Sequence, residues 1–306
     1  MGELRFDGRA VIVTGAGRGV GRCHALLLAA RGAKVVVADL GGQLNGTGSS
    51  NVPADEVVAE ITAAGGEAVA CYASVADEAG AASIVRSAID AYGRVDAVIN
   101  NAGIAEPDWF EDLTIERFRR MVDVHYMGTV HVCFAAWPHM VEAGYGRIVN
   151  TCSEAVLGMV PKNSAYGGAK GGVLGFTRTL ALDAARYDIR VNAVMPRAQT
   201  RLADTPVLAH TYDLPEETFQ GGIMDTMRPE LVSPVAAFLA HESCRLNGEL
   251  LPAGAGQVMR VALIQNDGFT KHDLTPEDVA ANLDKVMDMS GAHEVKVETL
   301  LSEVDH

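Results

Sequence analysis

Short unbroken apolar runs alternate with longer stretches of helical periodicity along most of the chain, and this alternation restricts the fold more than any other feature. Runs such as VVVA at 35–38 and AVIN at 97–100 show no polar alternation, as expected of strands buried on both faces. The strand candidates are Ala10–Thr14, Lys34–Ala38, Ala68–Tyr72, Val95–Asn100, Arg147–Cys152, Ile189–Val194 and Glu249–Leu251. Helical patterns fill the gaps at Gly19–Arg31, Pro53–Ala64, Ala79–Tyr92, Ile115–Ala143, Ser164–Tyr187 and Ser233–His241. Strand, helix and strand in repeated succession require right-handed crossovers and a parallel sheet with helices on both faces. The expectation is an α/β fold: a doubly wound, parallel seven-stranded sheet of Rossmann type over residues 1–256, followed by a C-terminal helical extension at 257–306.

Two stretches depart from the alternation. Residues 201–232 have weak periodicity, and a loop of that length is read as a mobile substrate lid. In the tail, Thr275-Pro276-Glu277-Asp278 opens a helix with a hydroxyl cap, a proline at the first position and acids in the first turn. Val279, Leu283, Val286 and Met287 would share one face of it, so the extension is expected to pack on the core or on a neighbouring subunit.

Charge narrows the partners. Lys+Arg 25 against Asp+Glu 39 leave a net charge of −14, which gives no basic footprint for nucleic acid and disfavours an anionic membrane surface. No apolar run approaches the ~18 residues of a membrane span. The N-terminal MGELRFDGRAVIVTG enters a strand almost at once, without a signal-peptide core. Cys23, Cys71, Cys133, Cys152 and Cys244 are scattered, with no C-x-x-C, and read as free thiols in a reducing cytoplasm. The nine histidines show no metal-ligand spacing, and no metal site is expected.

Thr14-Gly15-Ala16-Gly17-Arg18-Gly19-Val20-Gly21 lies between the first strand and the first helix. Glycines there let the backbone turn sharply and approach a pyrophosphate, while the helix N-terminus supplies N–H groups and partial positive charge. Asp39 ends the second strand, eighteen residues after Gly21. A carboxylate there can accept from both ribose hydroxyls of an adenosine and would repel a 2′-phosphate, which points to NAD over NADP. Arg18 is the counter-argument, since a basic residue in this loop can bind that phosphate; the acid is given more weight.

Tyr166 and Lys170 are four apart on a predicted helix and share one face. An ammonium beside a phenol favours the phenolate and lowers a pKa of ~10 toward working pH. Such a tyrosine can exchange a proton with a hydroxyl while hydride moves to or from a nicotinamide. Ser153, thirteen residues upstream at the end of the fifth strand, can hydrogen-bond the substrate oxygen. A Tyr-x-x-x-Lys pair alone carries little information; the order of glycine loop, acid, serine and Tyr/Lys pair carries the signal.

On these residues the chain resembles the short-chain dehydrogenase/reductase family over about residues 5–256. The family's T-G-x-x-x-G-x-G falls on Thr14–Gly21, and its N-N-A-G on Asn100-Asn101-Ala102-Gly103. Its serine, tyrosine and lysine fall on Ser153, Tyr166 and Lys170. The resemblance implies hydride transfer between a nicotinamide cofactor and a secondary alcohol or ketone. Tyr166 would be the acid/base, Lys170 would hold the nicotinamide ribose and tune Tyr166, and Ser153 would orient the substrate. It also implies cofactor contacts from Gly15, Arg18, Gly19, Val20, Gly21, Asp39, Leu40, Ser74, Val75, Asn101, Ala102, Gly103, Pro196, Ala198 and Thr200.

Within the family the chain looks most like the dehydrogenase unit of peroxisomal multifunctional enzyme type 2. The shared features include the glycine-rich insert after Asp39-Leu40-Gly41-Gly42, the segments at 124–128 and 145–149, and the tail with Leu274-Thr275-Pro276-Glu277. That subgroup oxidises (3R)-hydroxyacyl-CoA thioesters with NAD, and a substrate of that type is the leading expectation. The alternatives are a hydroxysteroid or other alicyclic alcohol and, from a different class, a catalytically silent NAD-binding regulator. Intact Ser153, Tyr166 and Lys170 weigh against the last.

Several positions depart from the wider pattern. His125 stands where the family usually has asparagine; it either offers a backbone carbonyl to a proton relay or only packs. Arg197 follows Pro196 where glycine is usual, and could bind an acidic substrate group or be a solvated loop charge. The aspartate that commonly meets adenine after strand three is replaced by Ala73 or Ser74, leaving that contact to backbone groups. Gly167, Gly168, Gly171 and Gly172 each cost up to ~1 kcal/mol in a helix interior, an expense that close helix packing would offset. Family members pair the equivalent helices across an interface, so a homodimer or homotetramer is expected.

Overall fold

In the computed structural model, which describes residues 2–222 and 224–298, each of the seven apolar runs forms a strand. They are β1 (Ala10–Thr14), β2 (Lys34–Ala38), β3 (Glu67–Cys71), β4 (Ala97–Asn100), β5 (Gly146–Thr151), β6 (Ile189–Arg197) and β7 (Leu250–Gly254). All seven pair in parallel, in the order β3-β2-β1-β4-β5-β6-β7. An eighth strand, β8 (Gln257–Val258), was not expected and pairs antiparallel with β7 at the sheet edge. Ala255 and Gly256 join the two with φ of +49° and +74°, a two-residue hairpin turn whose twist suits the strands.

Side-chain alternation sends Val11, Val13, Val35, Val37, Ile99 and Val149 to one face. There they pack with Leu28 of α1 (Gly19–Ala30), Val57 and Ile61 of α2 (Val52–Ala63), and Val235 and Leu239 of α8 (Ser233–Ala240). The other face is covered by α3 (Glu78–Tyr92), α5 (Gly128–Ala143) and α6 (Ser164–Ala184), so Ile12, Val36, Val98 and Ile148 are fully buried as well. Each such valine or isoleucine contributes roughly 1.5–3 kcal/mol by leaving water.

The expected long helix over Ile115–Ala143 is broken into α4 (Ile115–Val122), one π turn (Asp123–Met127) and α5. The π turn inserts an extra residue and aims His125 inward, where it is 1% exposed. The lid region is more regular than expected. It contains α7 (Thr205–Tyr212), whose N-cap Asp204 accepts from the Val207 N–H, followed by three single 3₁₀ turns. Ile223 of the expected lid, and residues 299–306 of the expected extension, lie outside the described residues.

The chain forms two compact units, Met1–Arg260 and Val261–His306. In the second, β9 (Ile264–Gln265) pairs antiparallel with β10 (His293–Glu294). The expected helix is two short ones, α9 (Pro276–Ala281) and α10 (Leu283–Met287). Thr275 and Asp278 form the anticipated cap as a reciprocal capping box. Asn266 Nδ2 donates to the carbonyls of Val286 at 2.9 Å and Asp288 at 2.7 Å and so ends α10. Val279, Leu283, Val286 and Met287 are all exposed.

Candidate active site

Chain order reverses between β1 and β4, which opens a crevice at the carboxyl ends of the strands. A cleft of about 370 Å³ lies there, and every catalytic and cofactor-contact residue named from the sequence lines it, while Arg197 does not.

The glycine loop is held from below. Asn101 Nδ2 donates to the carbonyls of Thr14 at 3.0 Å and Gly15 at 3.1 Å, and the N–H groups of Asn101 and Ala102 donate to Thr14 Oγ1. Asn101 therefore spends its amide on bracing the loop. Gly15 has φ +63°, and a Cβ there would lie 2.7 Å from Ala102 Cα, so neither the turn nor the spacing admits a side chain. Arg18 is the N-cap of α1; no side chain caps the helix and its first turn carries no acid. The first N–H groups of α1 are thus left toward the cleft.

Asp39 closes one end of the cleft. Its Oδ2 accepts from Gly17 N and its Oδ1 from Gly41 N, both at 2.7 Å. Each oxygen keeps acceptor capacity for a further donor. Leu40, Ser74 and Val75 continue this wall; Ser74 Oγ accepts from Ala76 N at 3.0 Å. The glycine-rich insert was read only as a marker of kinship, but it forms part of the cleft. Ala105 N donates to Leu44 O at 3.0 Å, and Gly42, Gln43 and Gly46 line the opening.

Another part of the cleft is built from β5 and α6. Ser153 follows β5, lines the cleft together with Tyr166, and accepts from Ala155 N at 3.2 Å. Lys170 is 3% exposed; its Nζ donates to Thr151 O at 2.5 Å and lies 5.8 Å from the Tyr166 ring centroid. Burial pulls the Lys170 ammonium down to about 8. The expected lowering of the Tyr166 pKa is not found. Burial pushes the phenol upward, and Ser153 only partly offsets that.

His125 meets Tyr166 edge-on, with ring centroids 4.9 Å apart and planes at 88°. Its Nε2 is bonded at Ile104, 3.1 Å from the N–H and 2.8 Å from the carbonyl oxygen. Its own carbonyl accepts from Thr129 Oγ1 at 2.8 Å. Burial, then the nearby Lys170 charge, hold the ring well below the usual histidine range, so it is neutral. Gly103 makes room for it, since a Cβ there would lie 2.7 Å from His125 Cε1.

Arg197 matches neither expectation. It is bound in a bidentate pair to Glu154, Nε to Oε2 at 2.7 Å and Nη2 to Oε1 at 2.5 Å. The pair staples the end of β6 to the residue beside Ser153. Pro196, Ala198 and Thr200 line the cleft, with Thr200 over the start of α1: a Cβ on Gly19 would lie 3.3 Å from Thr200 Cγ2. Val207, Leu208, Thr211 and Tyr212 of α7 form an apolar roof that the sequence reading did not resolve. Asp204-Thr205-Pro206, a cap followed by proline, was the available signal for it. Arg201, also not anticipated, lines the same cleft.

The four glycines of α6 differ in their surroundings. Gly172 packs on the Tyr126 ring, where a Cβ would lie 2.9 Å from Cδ2, whereas Gly171 has nothing within 4 Å of a Cβ. Among the described residues no helix is long and apolar enough to cross a membrane.

Comparison with known proteins agrees with this geometry. A short chain dehydrogenase family profile matches residues 9–206. A Mycobacterium tuberculosis protein named as a short-chain type dehydrogenase/reductase is 45% identical over 287 residues, 93% of this chain and 96% of that protein. The peroxisomal multifunctional enzyme type 2 of Mus musculus is 41% identical over 293 residues, 94% of this chain but only 38% of that much longer protein. Among solved structures, a short chain dehydrogenase from Mycobacterium paratuberculosis bound to NAD superposes with a TM-score of 0.73 at 28% identity, covering 82% of this chain and 98% of that one.

Proposed function

The chain belongs to the short-chain dehydrogenase family, and from that premise we propose an NAD-dependent dehydrogenase that interconverts a secondary alcohol and a ketone, with a (3R)-hydroxyacyl-CoA thioester as substrate. The observation that carries the reading is that Ser153, Tyr166 and Lys170 line the same cleft as the glycine loop, with the buried Lys170 Nζ 5.8 Å from the Tyr166 ring centroid.

The residues present suit a dinucleotide. The uncapped N-terminus of α1 offers N–H groups and partial positive charge to a pyrophosphate, and Asp39 offers acceptors to the adenosine ribose. Lys170 and Thr200 would hold the nicotinamide half. When bound, NAD supplies the acceptor for the hydride. Ser153 donates to the substrate oxygen and fixes its position. Tyr166 takes the hydroxyl proton in oxidation and returns it in reduction. A phenol raised by burial is a ready donor in the second direction; in the first, Tyr166 must be phenolate before it takes the proton, and Ser153 is the neighbour that favours that form. His125 orients the Tyr166 ring.

The acyl-CoA assignment is supported by the mouse relative and by the apolar roof of α7. A hydroxysteroid would also fit an apolar roof, and the assay separates the two. The exposed Phe134 of α5 and the open Gly171 side of α6 support pairing with a second copy of the chain. Five free cysteines support work in a reducing compartment, the cytoplasm by our reading. The test is NADH formation with a panel of (3R)-hydroxyacyl-CoAs, hydroxysteroids and small alcohols, each with NAD and with NADP. Turnover confined to steroids would overturn the substrate assignment. NAD binding without turnover of any alcohol would favour a silent regulator.

A further inference from the structure

We propose that Arg201 binds the cofactor, closing with Arg18 as a two-guanidinium clamp on a phosphate of the dinucleotide. This rests on the cofactor reading above and goes beyond it, since the glycine loop alone would otherwise hold that group.

The chain carries a net charge of −14. Its cleft has the opposite balance, with Arg18, Lys170 and Arg201 against the one carboxylate of Asp39 among the lining residues. Lys170 stands at the Tyr166 end of the cleft, which leaves the two arginines. They come from different segments of the chain. Arg18 belongs to the glycine loop; Arg201 follows Thr200 on the segment leaving β6. Both reach the same backbone carbonyl, Gly42 O, with Arg18 Nη1 at 3.4 Å and Arg201 Nη1 at 3.1 Å. Among the described residues neither guanidinium is ion-paired with a carboxylate. One carbonyl can accept from both but neutralises neither. The one carboxylate lining the cleft, Asp39, acts on Arg201 but is a single charge against two guanidinia.

The helix sharpens the imbalance. Arg18 is the N-cap of α1, so a cation stands at the positive end of the macrodipole, where an anion belongs. Burial, then the charge of Arg18, pull the Arg201 pKa down, and the Asp39 carboxylate only partly opposes them. Two guanidinia and an uncapped helix N-terminus converging on one opening form an anion site, and guanidinium matches phosphate oxygens in fork geometry. The dinucleotide offers two sources: the bridging pyrophosphate, or a 2′-phosphate if NADP enters. Because Arg201 is the first residue of the lid segment, the clamp would also tie the root of the lid to the bound cofactor.

The experiment titrates NADH and NADPH, by nicotinamide fluorescence without substrate, into wild type, Arg201→Ala and Arg201→Lys at low and high salt. Arg201→Ala should weaken binding by about tenfold or more and flatten its salt dependence, as loss of a charge-assisted contact implies. Arg201→Lys should recover part of the loss, and keeps the test usable if the alanine variant does not fold, which thermal melting of the free protein reports. An equal loss for both dinucleotides assigns the clamp to the pyrophosphate; a loss confined to NADPH assigns it to a 2′-phosphate. Wild-type affinity for both in Arg201→Ala, or in Arg201→Lys an unaltered affinity and salt slope should only that variant fold, overturns the proposal. A wild type that binds neither dinucleotide would instead overturn the cofactor reading beneath it.

Discussion

Mild acid should weaken this fold through a single buried ring. His24 sits in α1 at 1% exposure, its Nδ1 2.8 Å from Ser233 Oγ and its Nε2 without a partner. Burial pulls its pKa from 6.5 down to about 3. The unfolded chain therefore binds a proton below pH 6.5 that the folded chain refuses until about pH 3. Stability from this group is intact above the unfolded pKa and drains away as pH falls toward the folded one. The slope reaches at most ~1.4 kcal/mol per pH unit, and integration from pH 7 to pH 5 gives about 2 kcal/mol. The figure is insensitive to the folded pKa, which lies well below the window. The assay is urea unfolding at both pH values for wild type and His24→Asn, which keeps a polar group for Ser233 but cannot titrate. Carboxylates and His125 contribute equally to both proteins and cancel in the difference. Wild type should lose about 2 kcal/mol more than the variant over this interval. Equal losses would refute the reasoning.

Three further outcomes follow from the site. Gly21→Ala places a Cβ against the Gly15 carbonyl and the Asn101 amide, so it should cost ~1–3 kcal/mol in denaturant unfolding and weaken NADH binding; a neutral substitution would contradict the tight loop. Lys170, labelled by reductive methylation and followed by NMR in the free protein, should titrate near the value of about 8 that burial gives it; a value at the ordinary 10.5 would contradict that burial. Asp39→Ala removes the acceptor at the adenosine end and should weaken NADH binding more than NADPH binding, whereas an equal loss would show that Asp39 only braces Gly17 and Gly41.

The parallel sheet could be read from the chain because its strands announce themselves as unbroken apolar runs, and the register Val11↔Val35 follows from burying both faces. The short β8 could not, because Ala255 takes a positive φ without the Asn or Gly that usually signals such a turn. The π turn is equally silent, since Asp123 to Met127 continue a helical pattern and the extra residue shows only in how His125 packs. Gly15, Asp39, Ser153, Tyr166 and Lys170 were legible from order and spacing. Their energetics were not: the phenol of Tyr166 is raised because it is buried, which no spacing reveals. Arg197 finds Glu154 43 residues away, and Arg201 meets Gly42 159 residues away; such contacts exist only once the strands have aligned.

The proposed proton exchange at Tyr166 is the step on which the functional reading turns. The most direct measurement is NADH formation from a (3R)-hydroxyacyl-CoA by wild type and by Tyr166→Phe, with NADH affinity measured on both. Wild type should turn over, and the phenylalanine variant should bind NADH normally yet lose about 10²–10⁴-fold in rate. A Tyr166→Phe enzyme working at the wild-type rate would contradict the account at its root.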